Sequence, residues 1–596
     1  MAIGPGQGDT VEIEWQFDAL DLRPAGRWLA SLSAGSRTFP LLGVVGALAR
    51  PAVVHDDLYL DTEDWRIAQA GYVLRVRHAK EKQEVTLKAL PGVVVGTEPK
   101  RRREVTEPFT APTGRWLAEA GPVGWRVSAL IGRRPLHPVL DVRTRRRPFV
   151  LRIGDEDVAE VALDETAISI DDQNPMRLLR VEVEVEAAWA EALTPLVEDL
   201  KRSAGLSPAA LSKFEAGVLA RGYAIPARVD LGPTSVGTDA SIGALADAVL
   251  RRQLGALLTH EAGTRLGEDP EDLHDMRVAT RRLRAAIGVF ANVLPPQFGA
   301  LAPELAWLAS VLGAVRDLDV QLERLELAPE WRDAWASGPG EVSPLGELRA
   351  LFTREREAAR AALLSALDSP RYERLTTGLM ALVQQQAGQR SAAGRLRATA
   401  VVPGLLEQRH RAAVKAAKRA RHSGAATDFH RLRIRCKRLR YALEFVQDLY
   451  GEPAVSFTRK LTRLQDLLGT IQDCQVAMER LHALATSSQP PLSRSLVFLM
   501  GTLAEKARAD AAGLLAGAHS KVKVLTGEEW QHLARSLERL RGATTPAGPA
   551  RPSGATAASS TTLRALPHGA GGPGPAIPTL GPGPEAILPD DAPRNA

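Results

Sequence analysis

One spacing constrains this chain more than any other feature: a basic segment occurs twice, 156 residues apart. His274-Asp-Met-Arg277-Val-Ala-Thr-Arg281-Arg282-Leu-Arg284 is matched by His430-Arg-Leu-Arg433-Ile-Arg-Cys-Lys437-Arg438-Leu-Arg440. Farther on, Leu312-Gly313-Ala314-Val315-Arg316-Asp317 returns as Leu468-Gly469-Thr470-Ile471-Gln472-Asp473 with the same offset (430 − 274 and 473 − 317). Two homologous helical units stacked on each other account for both matches. The surrounding sequence, 241–540, is rich in Ala, Leu and Arg and reads as helix almost throughout, dividing into units over about 241–390 and 395–540.

Within each unit the key helix carries His at i and cations at i+3, i+7 and i+10. At 100° per residue these fall in an arc of about 80°. His274, Arg277, Arg281 and Arg284 therefore form one stripe, and His430, Arg433, Lys437 and Arg440 form its counterpart. A single basic stripe is usually a solvated face. Here like charges at i,i+3 and i,i+4 repel, and the same unfavourable pattern occurs twice, which favours an anionic ligand. Metal ligation by the histidines is the weaker reading, because each has Arg three residues on. Arg316, Asp317, Asp319 and Asp473 are expected to form ion pairs that orient arginines. The basic run from Arg409-His410-Arg411 to His422 is expected to add to the patch.

The N-terminal part has a different periodicity. Val11-Glu12-Ile13-Glu14-Trp15-Gln16-Phe17 alternates strictly, as does Val181-Glu182-Val183-Glu184-Val185-Glu186, so each puts its carboxylates on one face of a strand. Between them lie basic strands: Arg75 with Arg77, Thr86 with Lys88, Arg103 after a loop, and the series Arg143, Arg145, Arg147. About eight short strands recur. A salt-bridged solvated sheet is the plain reading of such alternation. Like charges in register on several strands instead favour a closed barrel with carboxylates on one wall and cations on the other.

That arrangement suits a polyphosphate substrate with a divalent metal. Carboxylate oxygens hold Mg²⁺ or Mn²⁺, and Arg and Lys neutralise phosphoryl oxygens. No Gly-rich loop followed by Lys-Ser/Thr is present to support P-loop chemistry.

Composition sets the outer bounds. Lys plus Arg number 76 against 70 acidic residues, so charge is concentrated locally rather than globally. Aromatics are only 5%, which argues against a stacking surface for nucleic acid. Two cysteines, Cys436 and Cys474, exclude a disulfide-built scaffold. With no basic, apolar leader and no long uninterrupted apolar run, the expectation is a cytoplasmic protein without membrane insertion. Residues 221–240 read as a linker, and 541–596, rich in Ala, Gly, Pro, Ser and Thr, as a disordered tail.

Residues 10–220 resemble a CYTH domain of the triphosphate tunnel metalloenzymes. The family's first strand, Glu-x-Glu-x-Lys, reads here Glu12-x-Glu14-x-Gln16. Tyr59-Leu60-Asp61-Thr62, Leu74-Arg75-Val76-Arg77, Thr86-Leu87-Lys88, the Glu182/Glu184 strand and Ser212-Lys213-Phe214 follow in the family's order. The resemblance implies an eight-stranded antiparallel tunnel. Glu12, Glu14, Glu182 and Glu184 would serve metal and catalysis, and Arg75, Arg77, Lys88, Arg103 and Arg143 or Arg145 would clamp the phosphates. It implies inorganic triphosphate hydrolysis, with thiamine triphosphate hydrolysis and cyclic AMP synthesis as rarer activities. Gln16 stands where the family has lysine and supplies no charge; Lys80, Lys82 or Lys213 are the candidates to compensate.

Residues 241–540 resemble the CHAD domain, two four-helix bundles in pseudo-twofold arrangement with a basic surface for inorganic polyphosphate. By that likeness the eight stripe residues become polyphosphate contacts. The whole is then an α+β multidomain protein that binds polyphosphate and hydrolyses triphosphate or similar triphosphate ends. The alternative is a non-catalytic protein associated with polyphosphate granules, its tunnel inactive because of Gln16; nucleic-acid binding ranks third.

Overall fold

The computed structural model describes residues 9–33, 38–39, 42–79, 82–90, 99–109, 116–117, 121–170, 175–223, 230–326, 343–487 and 492–542. Lys80, the side chain of Lys82, linker residues 224–229 and the expected tail beyond residue 542 lie outside the described residues.

The N-terminal half contains strands β1 (Asp9–Asp18), β2 (Thr38–Phe39), β3 (Gly43–Ala49), β4 (Val53–Asp61), β5 (Tyr72–Ala79) and β6 (Lys82–Ala89). It continues through β7 (Lys100–Pro108), β8 (His137–Ile153), β9 (Glu156–Ile168), β10 (Met176–Val185) and β11 (Ser207–Pro208). Helices α1 (Arg23–Ser33), α2 (Arg66–Gln69), α3 (Pro122–Ile131), α4 (Ala190–Ala204) and α5 (Lys213–Ala220) are interspersed. Eight strands close an antiparallel ring in the order β8-β4-β5-β6-β7-β1-β10-β9, with β9 returning to β8. Closure pairs the ladder groups that an open edge would expose.

Alternation decides what faces where. Ile13, Trp15 and Phe17 leave the outer side of β1 and pack with Trp28 and Leu29 of α1 and Leu193, Leu196 and Leu200 of α4. On the opposite side, Val123, Val127 and Ile131 of α3 cover Leu74, Val76, Val85, Leu87 and Val105. Each such buried side chain contributes about 1.5–3 kcal/mol. The hydrophobic cores thus lie between wall and helices, and the even-numbered carboxylates of β1 are left to the interior. Near one end, Phe214 and Val218 of α5 pack against Tyr59 and Leu140. A Cβ at Gly217 would sit 2.4 Å from Leu140 Cδ2, so glycine permits this close approach.

The helical half contains α6 (Ile242–Leu266), α7 (Pro270–Val289), α8 (Pro296–Glu326), α9 (Pro344–Leu367) and α10 (Pro370–Gln384). A second set follows: α11 (Ala398–Ser423), α12 (Ala426–Tyr450), α13 (Glu452–Ser487), α14 (Arg494–Lys521) and α15 (Glu528–Gly542). The first three helices of the sets begin 156 residues apart (242 and 398, 270 and 426, 296 and 452). In each set four successive helices pack in sequence, and across the sets α6 meets α11, α7 meets α12 and α9 meets α14. Equivalent residues even pair with one another. Ser241 and Arg397 form an antiparallel bridge, Ile242 N–H donating to Leu396 O (2.8 Å) and Ala398 N–H to Ala240 O (2.9 Å). The pseudo-twofold relation passes through that bridge. Helix α8 is long and apolar enough to cross a membrane by length and composition, but Leu305, Leu308, Leu312 and Val315 belong to the core shared by both helical sets.

Candidate functional sites: a charged chamber and a basic seam

The interior of the ring encloses a chamber of about 230 Å³. Its lining includes the cations Arg75, Arg77, Lys88, Arg102, Arg146 and Lys213 and the carboxylates Glu12, Glu14, Asp57, Glu104, Glu182 and Glu184. Register explains the gathering. Glu14 lies opposite Glu184 and Gln16 opposite Glu182 across β1 and β10, while Glu12 lies opposite Arg102 and Glu14 opposite Lys100 across β1 and β7.

Of the residues expected to clamp phosphate, Arg75, Arg77 and Lys88 line the chamber, and Arg103, Arg143 and Arg145 do not. Arg143 is exposed and lies 3.5 Å from Asp56; Arg145 is exposed too. Arg103 points away from the chamber and, together with Arg126 (2.6 Å), pairs with Glu268 of the turn between α6 and α7. Strand parity is the reason: the inward positions of β7 and β8 are Arg102, Glu104 and Arg146.

Most chamber charges are paired. Arg77 grips Asp57 in a bidentate bond (2.7 and 2.8 Å). Lys88 contacts Glu12 and lies 3.2 Å from Glu104 and 3.5 Å from Glu14. Arg102 lies against Glu14, and Arg146 against Glu182 and Asp164. Burial disfavours the charged form of Lys88, yet Glu104 and Glu12 outweigh it and hold the ammonium above its ordinary range. Burial likewise opposes ionisation of Glu182, but Lys213 and Arg146 hold its carboxyl well below the usual range.

Gln16 is buried, its amide donating to Glu14 (3.1 Å) and to Glu182 (3.5 Å). The ammonium of Lys213 sits 3.1 Å from the same Glu182 and 2.5 Å from Asp164. A cation thus stands beside the glutamine, supplied from α5 rather than β1.

Glu184 differs from the other chamber carboxylates: among the described residues no cation pairs with it. Burial and the neighbouring Glu12 push its carboxyl up to about 7. The donors of β1 and β10 are oxygens, the type that holds Mg²⁺ or Mn²⁺, and a crowded carboxyl with raised pKa is one that a cation would relieve. In donor chemistry the residues therefore fit such an ion. Among the described residues no three acidic, imidazole or thiol groups already converge as a ligand cluster.

The second site is the seam where α7 meets α12. Arg281 donates to the Tyr441 hydroxyl (3.2 Å) and Arg282 to Glu444 (3.0 Å), fixing the two helices side by side. Arg440 is held by Gln465 and Glu444 (both 2.8 Å) and lies over the Tyr441 ring. Arg284 is exposed.

Repeated glycines give the seam its shape. A Cβ at Gly313 would meet Arg277 Nε at 3.3 Å, and one at Gly469 would meet Arg433 Nε at 3.9 Å. Each guanidinium therefore lies over the backbone of the following helix, with its Nε buried and lacking a hydrogen-bond acceptor among the described residues. The histidines differ between the units. His430 Nδ1 bonds to Gln472, whereas His274 Nδ1 is buried without a partner, and burial plus Arg316 lowers its pKa.

Of the expected orienting pairs, Asp317 alone touches a stripe residue, lying 3.6 Å from Arg277. Arg316 pairs with Glu271, Asp319 with Arg356 and Asp473 with Arg324. His410, expected on the basic patch, is a core residue, stacked on Trp530 at 3.5 Å and bonded to Leu525 O.

Comparison with known proteins agrees with this division. A family model of the CYTH domain matches residues 40–218, and one of the CHAD domain matches residues 248–482. No curated protein matches. Among solved structures, the CHAD domain from the plant Ricinus communis is 32% identical over 49% of this chain and 97% of its own, with a TM-score of 0.41. PptA from Streptomyces chartreusis is 20% identical over 49% of this chain and all of its own (TM-score 0.38). HpAC1 from Hippeastrum, assigned as an adenylyl cyclase and described as having a dominant triphosphatase activity, is 19% identical over 36% of this chain and 98% of its own (TM-score 0.27). The chain belongs to the CYTH and CHAD families, carrying a CYTH domain followed by a CHAD domain.

Proposed function

We propose that the protein binds inorganic polyphosphate on its helical half and hydrolyses inorganic triphosphate, or similar triphosphate ends, in its barrel. The observation that carries this reading is the chamber lining: six cations and six carboxylates facing inward in one closed ring. Arg75, Arg77, Lys88, Arg102, Arg146 and Lys213 would bind the phosphoryl oxygens, and wall closure would limit the water that reaches them.

Glu12, Glu14 and Glu184 would hold Mg²⁺ or Mn²⁺, with Glu182 tied to Lys213 and Arg146. The metal, when bound, would neutralise charge building on the phosphoryl group and lower the pKa of an attacking water. A triphosphate offers Lys88 and Arg102 other anions and so frees Glu12 and Glu14 for the cation. Asp57 keeps Arg77 fixed through the bidentate bond.

His274, Arg277, Arg281, Arg284, His430, Arg433, Lys437 and Arg440 would contact the polyphosphate chain, a contact that would bring the protein to polyphosphate granules. Tethering both sites in one chain raises the concentration of chain ends near the barrel.

The test is phosphate release from inorganic triphosphate by the full-length protein with Mg²⁺ or Mn²⁺, beside Glu12→Ala/Glu14→Ala. Release that disappears in the variant is the expected result. A second reading, a non-catalytic barrel on a polyphosphate-binding protein, is favoured by Gln16 at the family's lysine position. Triphosphate binding without any release would establish it.

A further inference from the structure

The seam contains one primary amine. Lys437 has Arg433 and Arg440 one turn before and after it on α12. From α7, Arg281 reaches the hydroxyl of Tyr441, itself one turn beyond Lys437. No carboxylate lies within ion-pairing distance of Lys437 among the described residues, and the groups that act on it electrostatically are the guanidinia of Arg281, Arg433, Arg277 and Arg440. The side chain is half-buried, so its amine still meets solvent. Glu444, the nearest seam carboxylate in sequence, is taken by Arg282 and Arg440. This is the setting in which an amine acts as a nucleophile: other cations around it and little water to solvate an ammonium. Burial, followed by those four arginines, pushes its pKa down to about 7.

We propose that Lys437 is a modification site for acyl phosphates, the surrounding guanidinia binding the donor's phosphate and the lysine amine taking its acyl group. The lone pair of Nζ forms a bond to the acyl carbonyl carbon. The bond from that carbon to the phosphate oxygen breaks, and its electrons leave with inorganic phosphate, which accepts the proton released by the amine. The product is a neutral amide. It removes one positive charge and leaves four guanidinia around an uncharged group, so acylation weakens the seam for polyanions. The inference rests on the seam being a phosphate site, and it makes polyphosphate and acyl phosphate competitors for the same cations.

The experiment incubates the full-length protein with acetyl phosphate at pH 7 and follows each lysine by peptide mass spectrometry, with polyphosphate binding measured on the same preparation. Lys415 and Lys418, exposed on α11, are internal references. Lys437 is expected to be acetylated at least about tenfold faster than either, because burial and the neighbouring guanidinia disfavour its ammonium and the same guanidinia hold the donor's phosphate beside it. Saturating long-chain polyphosphate should slow Lys437 more than about fivefold, and by more than it slows the references, as expected for competition at a shared site. p-Nitrophenyl acetate, which carries no phosphate, should show a smaller preference. Acetylation of Lys437 no faster than of Lys415, on protein that binds polyphosphate normally, overturns the inference alone. Equal preference with both donors overturns the phosphate-guided part of it. Absence of any polyphosphate binding overturns the seam reading beneath it.

Discussion

The chamber and the seam gather similar numbers of cations but treat them in opposite ways. In the chamber nearly every cation has its carboxylate: Lys88 has Glu12 and Glu104, Arg77 has Asp57, and Lys213 has Asp164 and Glu182. In the seam, Arg281 and Lys437 have no ion pair among the described residues, and Arg277 has only the exposed Asp317 at 3.6 Å. A buried charge left alone costs several kcal/mol, so a closed chamber must carry its own counter-ions. Side chains that stay partly exposed, as Arg281 and Lys437 do, leave part of that task to solvent and ligand. The chamber is therefore preorganised for a short anion with a metal, and the seam for a long anion that supplies the missing charge.

The sharpest way to break this contrast is Lys88→Ala. If Lys88 serves the chamber alone, triphosphate turnover should fall about 10²–10³-fold, the size expected for losing one preorganised charge at a phosphoryl site. Long-chain polyphosphate affinity, read by a binding isotherm, should change less than about twofold, since distant sites act independently. A comparable loss in both assays would mean that the two sites are one. The reciprocal variant, Arg277→Ala with Arg433→Ala, should weaken polyphosphate binding about tenfold or more, as two charge-assisted contacts are lost. It should also flatten the salt dependence. Triphosphate turnover at saturating substrate should be unaffected.

Acidity offers a subtler comparison, because both sites titrate near pH 7 with opposite consequences. Glu184, raised to about 7, is protonated below that pH and then cannot hold a cation. Lys437, lowered to about 7, loses its charge above that pH. Raising the pH from 6 to 8 should therefore strengthen Mg²⁺ binding in the chamber, with a limiting slope of about tenfold per pH unit below the pKa. Over the same interval polyphosphate binding should weaken, and calorimetry in two buffers of different ionisation enthalpy should show proton uptake on binding near pH 8. Metal and polyphosphate isotherms that move in the same direction would remove this distinction between the sites.

The two regions also differ in how legible they are from sequence. The helical repeat is readable almost to the residue, because a constant offset of 156 carries the helix starts, the stripe and the glycines together. In the barrel, residues 11–17 of β1 and 181–185 of β10 alternate strictly between apolar and polar side chains, so their inward faces are plain. Strands β7 and β8 contain unbroken runs, Arg101-Arg102-Arg103 and Arg145-Arg146-Arg147, in which every position is equally basic. Which parity faces inward is then set by register, Glu12 opposite Arg102 and Asp164 opposite Arg146, and register is a long-range property. That is why the sequence points to Arg103, Arg143 and Arg145, whereas the chamber is lined by Arg102 and Arg146. Asp57, next to Asp56 on β4, and Glu104, after the arginine run of β7, are invisible for a related reason: an acid without alternation around it acquires a role only when the ring closes.

The smallest expected effect tests whether the two halves of the seam are equal. Alanine in a helix is favoured over glycine by about 1 kcal/mol. At Gly469 the added Cβ would lie 3.9 Å from Arg433 Nε, an ordinary contact, so Gly469→Ala should stabilise the protein by close to that amount and leave polyphosphate binding nearly unchanged. At Gly313 the same atom would lie 3.3 Å from Arg277 Nε, and the guanidinium would have to give way. Arg277 can yield because its side chain is long, yet in doing so it leaves the position shown beside Asp317. Gly313→Ala should therefore gain less stability in denaturant unfolding and lose a few-fold in polyphosphate affinity, in keeping with one weakened charged contact. Equal behaviour of the two alanine variants would mean that the asymmetry between Arg316-Asp317 and Gln472-Asp473 does not reach the ligand. Unequal behaviour would locate the tighter half of the seam at Arg277, where glycine leaves the guanidinium the least room to spare.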